Sequence, residues 1–361
     1  MINTPDWEQA KEKFTAWWAR ENTGRPLMRI CGKKAALDIP VEKPDTPEKY
    51  HMDLDYLLER FKAGCRTTMF MAEAFPALDI NIGPGSLAVY LGSEPLFAWN
   101  TVWYKECIHD ILAFRDLTYD EDNPWWVRHR ELLRKAVELA GGEFYVNIPD
   151  IIESMDILAA MRGPQALILD MMDHPGMVKK YIRQIDDLYF QYYDRIYDLV
   201  KDGEGASSYT SFGIWGKGRT AKIQCDFNAL ISPDQFREFV VPSLAAQCEK
   251  LDNSMFHLDG PDAARHIDAL MEINGLDILQ WTYGSCQPDG GDEKWYPLYD
   301  KVFEAGKGLW THIGDGSTAR WFEKSDNLVR RYGTRGLYLV YPEMDMRDAL
   351  ELRDKAREEW E

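Results

Sequence analysis

The sequence predicts an α/β protein, a (β/α)8 TIM barrel with an irregular N-terminal section. Short β-prone runs alternate with helical patterns through the second half of the chain. The residues that end these runs follow at steps of 31, 24, 31 and 29, and they are Asp226, His257, Trp281, His312 and Tyr341. This spacing is typical of βα units in a parallel sheet. The repeat continues to the last residue without a glycine-rich phosphate loop, which favours a barrel over a doubly wound sheet.

The chain is predicted to be a single domain over residues 1–361, with a front section and a regular section. Residues 1–142 contain two helices, DWEQAKEKFTAWWARE and DLDYLLERFKAG, then a loop-rich stretch carrying a hairpin and the first barrel elements. Residues 143–361 contain the regular repeats. Here EFYVNIPD is a β-prone run, and the segments after it carry apolar residues at helical spacing. Ser232 and Pro233 open another helix as N-cap and first residue.

The last four repeats are the clearest. Their strands are SMFHLDG, LDILQWTYG, LWTHIGDG and GLYLVYPEMD, and each is followed by a helical pattern. In a barrel of this kind the active site lies at the carboxyl ends of the strands. The polar and aromatic residues that end the strands are therefore predicted to surround one opening.

Composition excludes several classes of partner. The formal net charge of −18 opposes binding to nucleic acid and to anionic membranes, and no basic stripe offsets it. No apolar run reaches the length of a membrane span, and no signal sequence is present. Six scattered cysteines without C-x-x-C spacing indicate no disulfide framework, so a cytoplasmic location is expected.

The aromatic content, with 13 Trp and 18 Tyr, has two interpretations. The rings either fill the core or line a pocket for a flat ligand. Trp215, Trp281 and Tyr341 are candidates for such a substrate-binding wall, with Asn147 as a polar neighbour at a strand end. Trp17, Trp18, Trp125 and Trp126 could mark a homodimer face or could pack terminal helices.

The strand ends offer alternative chemistries. His257 and Asp259 are two apart, so on a strand they face the same side. With Glu343 or His312 they could hold zinc, since imidazole and carboxylate groups both suit that metal. Alternatively a carboxylate pair, Asp226 with Glu343, could perform acid–base catalysis.

Several motifs resemble those of the uroporphyrinogen decarboxylase superfamily, which includes the cobalamin-dependent methyltransferases. The resemblance lies in AAMRGPQALILDMMDHPGMVKKYI, in LISPDQFREFVVPSL and in the strand end FHLDG, and it covers residues 143–345. It implies the barrel fold that the periodicity also predicts. The Arg-rich N-terminal segment of the decarboxylases has no counterpart in GRPLMRICGKK, which favours the methyltransferase branch.

The resemblance implies a corrinoid-linked methyltransferase-like enzyme acting on a small molecule. His257 matches the zinc-binding histidine of that branch, Asp259 and Glu343 stand near its two cysteine positions, and Asp226 is the acid–base or orienting residue. Zinc and a corrinoid carried by a partner protein are the implied cofactors. The first alternative is a metal-free decarboxylase using Asp79, which stands near that branch's catalytic aspartate, or Asp226. The second is a non-catalytic binder of a corrinoid or aromatic ligand.

Overall fold

The computed structural model describes residues 4, 6–34, 39–209 and 211–361, and it has a mixed α/β architecture. The helices are α1 (Trp7–Trp18), α2 (Pro47–Met52), α3 (Leu54–Thr67), α4 (Leu87–Tyr90), α5 (Pro124–Ala140), α6 (Ser154–Arg162), α7 (Pro164–Asp173), α8 (Pro175–Val200), α9 (Pro233–Phe239), α10 (Val241–Lys250), α11 (Ile267–Met271), α12 (Tyr296–Glu304), α13 (Thr318–Tyr332) and α14 (Met346–Trp360). The strands are β1 (Leu27–Lys33), β2 (Thr68–Ala72), β3 (Ala77–Leu78), β4 (Glu94–Phe97), β5 (Val102–Lys105), β6 (Tyr145–Val146), β7 (Ala206–Tyr209), β8 (Ile214–Lys217), β9 (Thr220–Gln224), β10 (Asn253–Asp259), β11 (Ile278–Thr282), β12 (Gly308–His312), β13 (Leu337–Val340) and β14 (Met344–Asp345).

The principal sheet is parallel over most of its width. Its hydrogen-bonded order is β9-β10-β11-β12-β13-β1, with the short β14 beside the end of β1 and with β2 antiparallel to β1. A second parallel pair joins β3 to β6, and a parallel bridge from Ile148 to Tyr209 extends it to β7. Strand β7 also contacts β9. Within the described residues no hydrogen-bonded ladder joins β1 to β3, so the parallel α/β sheet is confirmed and closure into a TIM barrel stays a prediction.

The elements predicted from the sequence are largely present. Strands β10 to β13 coincide with the four predicted strands, and β4 pairs antiparallel with β5 as the predicted hairpin. The start of α9 is also confirmed. The Ser232 hydroxyl accepts a hydrogen bond from the Gln235 backbone N–H, and the Gln235 side chain accepts one from the Ser232 N–H. This reciprocal capping satisfies two backbone donors that the first turn leaves unpaired.

Much of the aromatic content packs the core. In α1, Trp17 is fully buried and Trp18 nearly so, and the Trp18 indole donates a hydrogen bond to the Trp215 carbonyl at 2.8 Å. Trp126 of α5 is fully buried and Trp125 partly buried. The homodimer face proposed from these four rings is therefore corrected, because three of them lie inside the protein. Core packing of the helices explains them instead.

The glycine in the segment AAMRGPQAL is explained by the backbone conformation at its position. Gly163 separates α6 from α7 at φ +87°, and a Cβ at this position would collide with the Glu106 carboxylate. The preceding Arg162 fixes the break, because its guanidinium binds Asp170 at 2.7 Å and the carbonyls of Ile108 and His109. The Arg-Gly pair thus shapes this corner of the fold.

Among the described residues, no helix has both the length and the apolar character needed to cross a bilayer.

A carboxyl group between α8 and α10 predicts a pH-dependent stability. Burial raises the pKa of Asp186 to about 7, although Ser243 and Gln247 donate hydrogen bonds to it. The native state therefore binds more protons than the unfolded state between about pH 4 and pH 7, and stability falls as pH rises through this window. We expect Asp186→Asn to stabilise the protein by roughly 1–3 kcal/mol at pH 8 and to have less effect at pH 5.

Urea unfolding at both pH values measures this effect. The matched control is Asp187→Asn, because the neighbouring Asp187 side chain is 77% exposed. An Asp186→Asn variant whose unfolding midpoint keeps the wild-type pH dependence would contradict the expectation.

Candidate functional site

Strand register brings the candidate residues to one edge of the sheet. His257 of β10 lies opposite Gln224 of β9 and opposite Gln280 of β11. Asp259 is the last residue of β10, and Asp226 begins a short 3₁₀ turn two residues after the end of β9. His257 and Asp259 face the same way because they are two apart on one strand, and Asp226 lies close to both at the carboxyl edge of the sheet.

Three of these side chains form a candidate metal site. One potential ligand atom from each of Asp226, His257 and Asp259 lies within 4.8 Å of the others. His257 is partly buried and the two aspartates are exposed. Imidazole nitrogen and carboxylate oxygens are a donor set that zinc accepts, and three protein ligands leave a position for a substrate. The residues present therefore fit such an ion.

The position of His257 fixes which of its nitrogens is available. Its Nδ1 contacts the Gln280 Oε1, which can only accept, so Nδ1 carries the proton and Nε2 keeps its lone pair. The Gln280 amide is oriented in turn, because its Nε2 donates to Thr282 Oγ1 at 3.0 Å. Burial and the nearby Lys222 cation lower the pKa of His257. The imidazole is therefore held neutral, which is its metal-binding form.

Asp226 has an unusual electrostatic environment. Although the residue is exposed, the protein around its carboxyl group and repulsion from Asp156 raise its pKa to about 7. The Asp156 carboxylate accepts backbone hydrogen bonds from Asp226 at 2.8 Å and from Phe227 at 2.9 Å. The chain after β9 is thus held in place by a residue of α6. A carboxyl group that titrates near neutral pH suits either acid–base work or binding of a cation.

Behind these groups lies a buried ion cluster that the sequence analysis did not single out. The Lys222 ammonium is 1% exposed and lies 2.7 Å from Asp150 Oδ1. Glu153 is fully buried, its Oε1 accepts the Gln224 N–H at 2.9 Å, and its Oε2 has no hydrogen-bond partner within the described part of the chain. Burial raises the pKa of Glu153 well above its usual range, which favours the protonated form of its carboxyl group. The sequence signal that could have indicated this cluster is the alternation of polar residues in AKIQCD, at Lys222, Gln224 and Asp226.

The segment that carries Glu153 is strained. The residues on either side of it, Ile152 and Ser154, have φ angles of +51° and +57°. Such values cost roughly 1–3 kcal/mol each for residues other than glycine, and Ile152 is β-branched. The conformation is held from two sides, by the Gln224 N–H on Glu153 and by a hydrogen bond between the Ser154 and Ser243 hydroxyls. Strain concentrated beside Asp226 and Lys222 is typical of functional segments.

Three other predicted residues, Asp79, Tyr341 and Glu343, lie around a separate cavity. A space of about 420 Å³ is lined by residues that include Arg29, Asp79 and Glu343. Asn147 donates to Asp79 Oδ1 at 2.7 Å and is itself fixed by the Ser208 hydroxyl at 2.6 Å. Glu343 accepts a hydrogen bond from Thr68 at 2.8 Å and does not join the cluster of Asp226, His257 and Asp259. The structure thus unites two of the three predicted ligands and adds Asp226 to them.

The predicted aromatic wall is dispersed through the fold. Trp215 is fully buried against Trp7 and donates from its indole to the Tyr145 hydroxyl at 2.9 Å. Trp281 is fully buried beside Trp295. Tyr341 is also buried, with its hydroxyl bonded to Ser325, yet it lines the cavity of Asp79 and Glu343. A role for these rings in substrate binding stays a prediction.

Comparison with known proteins supports the fold. No family model and no curated protein matches the chain. A methyltransferase from Methanosarcina mazei matches it with a TM-score of 0.64 at 12% identity, over 97% of this chain and 98% of that one. A methylaspartate ammonia lyase from Clostridium tetanomorphum gives a TM-score of only 0.31 at 9% identity, over 64% and 61% of the chains, which is too low to bear on the fold. The chain therefore shares the fold of the Methanosarcina mazei methyltransferase over almost its whole length, and at this identity the likeness concerns the fold alone.

Proposed function

We propose that the protein is a methyltransferase-like enzyme of the uroporphyrinogen decarboxylase superfamily, with a zinc site formed by Asp226, His257 and Asp259. The observation that carries the proposal is the approach of these three ligand groups to within 4.8 Å at the carboxyl edge of a parallel sheet. The shared fold with a methyltransferase supports it. We include closure of the sheet into a (β/α)8 barrel, supported by the cavity that Arg29 of β1 and Asp79 after β3 line together.

In this proposal zinc, when bound, supplies a Lewis acid that holds a heteroatom of the acceptor or of the methyl-bearing substrate. Gln280 keeps the His257 imidazole in one tautomer, and Asp156 holds the backbone that presents Asp226. Lys222 keeps a positive charge behind the site and limits the rise in the pKa of Asp226. A corrinoid protein is the proposed partner that donates or accepts the methyl group.

Zinc titration of the chelator-treated protein tests the ligand set. We expect His257→Ala to abolish zinc binding and Asp226→Asn to weaken it more than roughly tenfold, because even outer-shell substitutions cost about 10–100-fold. Glu343→Gln is the discriminating control, because Glu343 is bonded to Thr68 outside the three-residue cluster. A wild-type protein that binds no zinc, or a loss caused by Glu343→Gln and not by Asp226→Asn, would contradict the proposed site.

A second candidate function, a metal-free decarboxylase of a small acid, is favoured by the cavity around Asp79. Asn147 orients the Asp79 carboxylate, and Arg29 lines the same space and offers a cation for a substrate carboxylate. An assay on the chelator-treated, zinc-free protein distinguishes the decarboxylase from the zinc-dependent methyltransferase. Release of carbon dioxide from a small carboxylic acid in the absence of zinc, abolished by Asp79→Asn, would favour the decarboxylase.

A further inference from the structure

A second, larger cavity opens beside the candidate metal site. Its volume is about 600 Å³, and it lies between the β4–β5 hairpin, helix α6 and the chain after β9. Asp226 lines this cavity and also belongs to the cluster of Asp226, His257 and Asp259, so the cavity borders the candidate metal site at this residue. A volume of this size accommodates a small organic molecule with several rings or chain carbons.

The walls of this cavity are apolar and aromatic. Trp103 and Tyr104 of β5 line it, together with Ile152, Ile157 and Phe227. The Tyr104 ring is fixed, because its hydroxyl donates to the Ile82 carbonyl at 2.8 Å. Trp103 is 66% exposed, which is unusual for a tryptophan in a protein that buries most of its large rings. An exposed ring beside an apolar cavity indicates a surface that a ligand covers.

The charged groups around the cavity all have one sign. Glu106, Asp156 and Asp226 line it, and its described lining includes no Lys, Arg or His. Low-dielectric walls strengthen the repulsion of an anion by the Glu106 and Asp156 carboxylates, and the net charge of −18 adds to it. A cation or a neutral hydrogen-bond donor is accepted, because carboxylate oxygens act as acceptors.

We propose that this cavity is the substrate pocket, and that it selects a molecule with an apolar, ring-sized body and a neutral or cationic polar group. The inference rests on the proposed function, since it places the reacting end of the substrate at Asp226, beside the candidate metal ligands. The apolar body lies against Trp103 and Tyr104. Polyanionic substrates are excluded from this pocket.

Binding of a matched series of small probes tests the inference without any catalytic assay. The probes are phenethylamine, phenethyl alcohol and phenylacetate, which share one ring and differ in the charge of the polar group. Titration calorimetry uses the chelator-treated protein, so that zinc cannot attract the carboxylate. We expect the amine and the alcohol to bind and phenylacetate to bind at least roughly tenfold more weakly than the amine.

Two variants locate the binding. Trp103→Ala is expected to weaken amine binding roughly tenfold, because it removes the covering ring. Trp99→Ala is the matched control: Trp99 lies at the tip of the same hairpin, 41% exposed and outside the cavity lining, so binding should not change. Ala160→Trp fills the cavity from α6 and should abolish binding, with circular dichroism verifying that the variant is folded.

Phenylacetate binding as tightly as phenethylamine, or equal effects of Trp99→Ala and Trp103→Ala, would overturn the inference. Failure of all three probes to bind would overturn it too. The zinc titration is read separately. Zinc binding without probe binding refutes the pocket and leaves the proposed metal site standing, whereas probe binding without zinc binding refutes the metal site and supports the pocket.

Discussion

Replacing Glu73 by Gln is expected to destabilise the protein by about 3–5 kcal/mol, because it breaks a buried ion pair. Glu73 is 1% exposed and Arg25 3% exposed, and two parallel hydrogen bonds of 2.8 Å join the guanidinium to the carboxylate. The same carboxylate accepts the Met28 N–H of β1 at 2.7 Å. A Gln amide would point an N–H donor at one of these donors. It would also leave Arg25 with the 35% exposed Glu361 carboxylate, 3.3 Å from its Nε, in place of the buried counterion.

Urea unfolding of the variant at neutral pH measures this loss. The control is Glu94→Gln, the same chemical change in the exposed pair of Glu94 with Lys105, where we expect less than about 1 kcal/mol. A Glu73→Gln variant as stable as the Glu94→Gln variant would show that the pair of Arg25 and Glu73 contributes nothing.

Lys222→Met is expected to cost a similar amount, about 3–5 kcal/mol, because it leaves a carboxylate without its cation in the interior. Asp150 loses the ammonium at 2.7 Å, whereas the hydrogen bond from the Tyr209 hydroxyl at 3.1 Å stays in place. Adding Asp150→Asn to the variant should recover more than half of the loss, since the unpaired charge is then removed as well.

This double-mutant cycle separates the ion pair from simple packing. Lys105→Met is the control for the substitution itself, because Lys105 is 63% exposed and its pairing with Glu94 is solvated. If Lys222→Met loses stability and Asp150→Asn recovers none of it, the loss reflects packing of the side chain and the electrostatic account is wrong.

Local patterns predicted the elements of this fold well. The cap at Ser232, the strands β10 to β13 and the hairpin of β4 with β5 depend on residues near one another in the chain, so the sequence displays them directly. The pairing of β7 with β8 as an antiparallel hairpin was not predicted. Pairing depends on which edges meet in three dimensions, and short β-prone runs do not specify their partners.

The candidate site was predicted only in part, because spacing along one strand is visible in the sequence whereas contacts between distant segments are not. His257 and Asp259 share one strand face, so their convergence follows from spacing alone. Glu343 lies elsewhere because β14, directly after it, pairs with β1, and β1 pairs with the strand that carries Thr68. Glu153 and Asp156 meet the chain after β9 across about 70 residues of sequence. Only tertiary packing reveals such contacts.

The left-handed torsions at Ile152 and Ser154 constrain how this protein could adapt to heat. Glycine at 152 would relieve an unfavourable backbone angle, yet it would also delete a side chain from the wall of the cavity beside Asp226. Because Ile152 is also 4% exposed in the core, loss of its side chain would cost packing energy, so packing and backbone strain make opposite demands at this one position. Relatives from hot environments that retain a bulky residue there would reveal which of the two demands prevails.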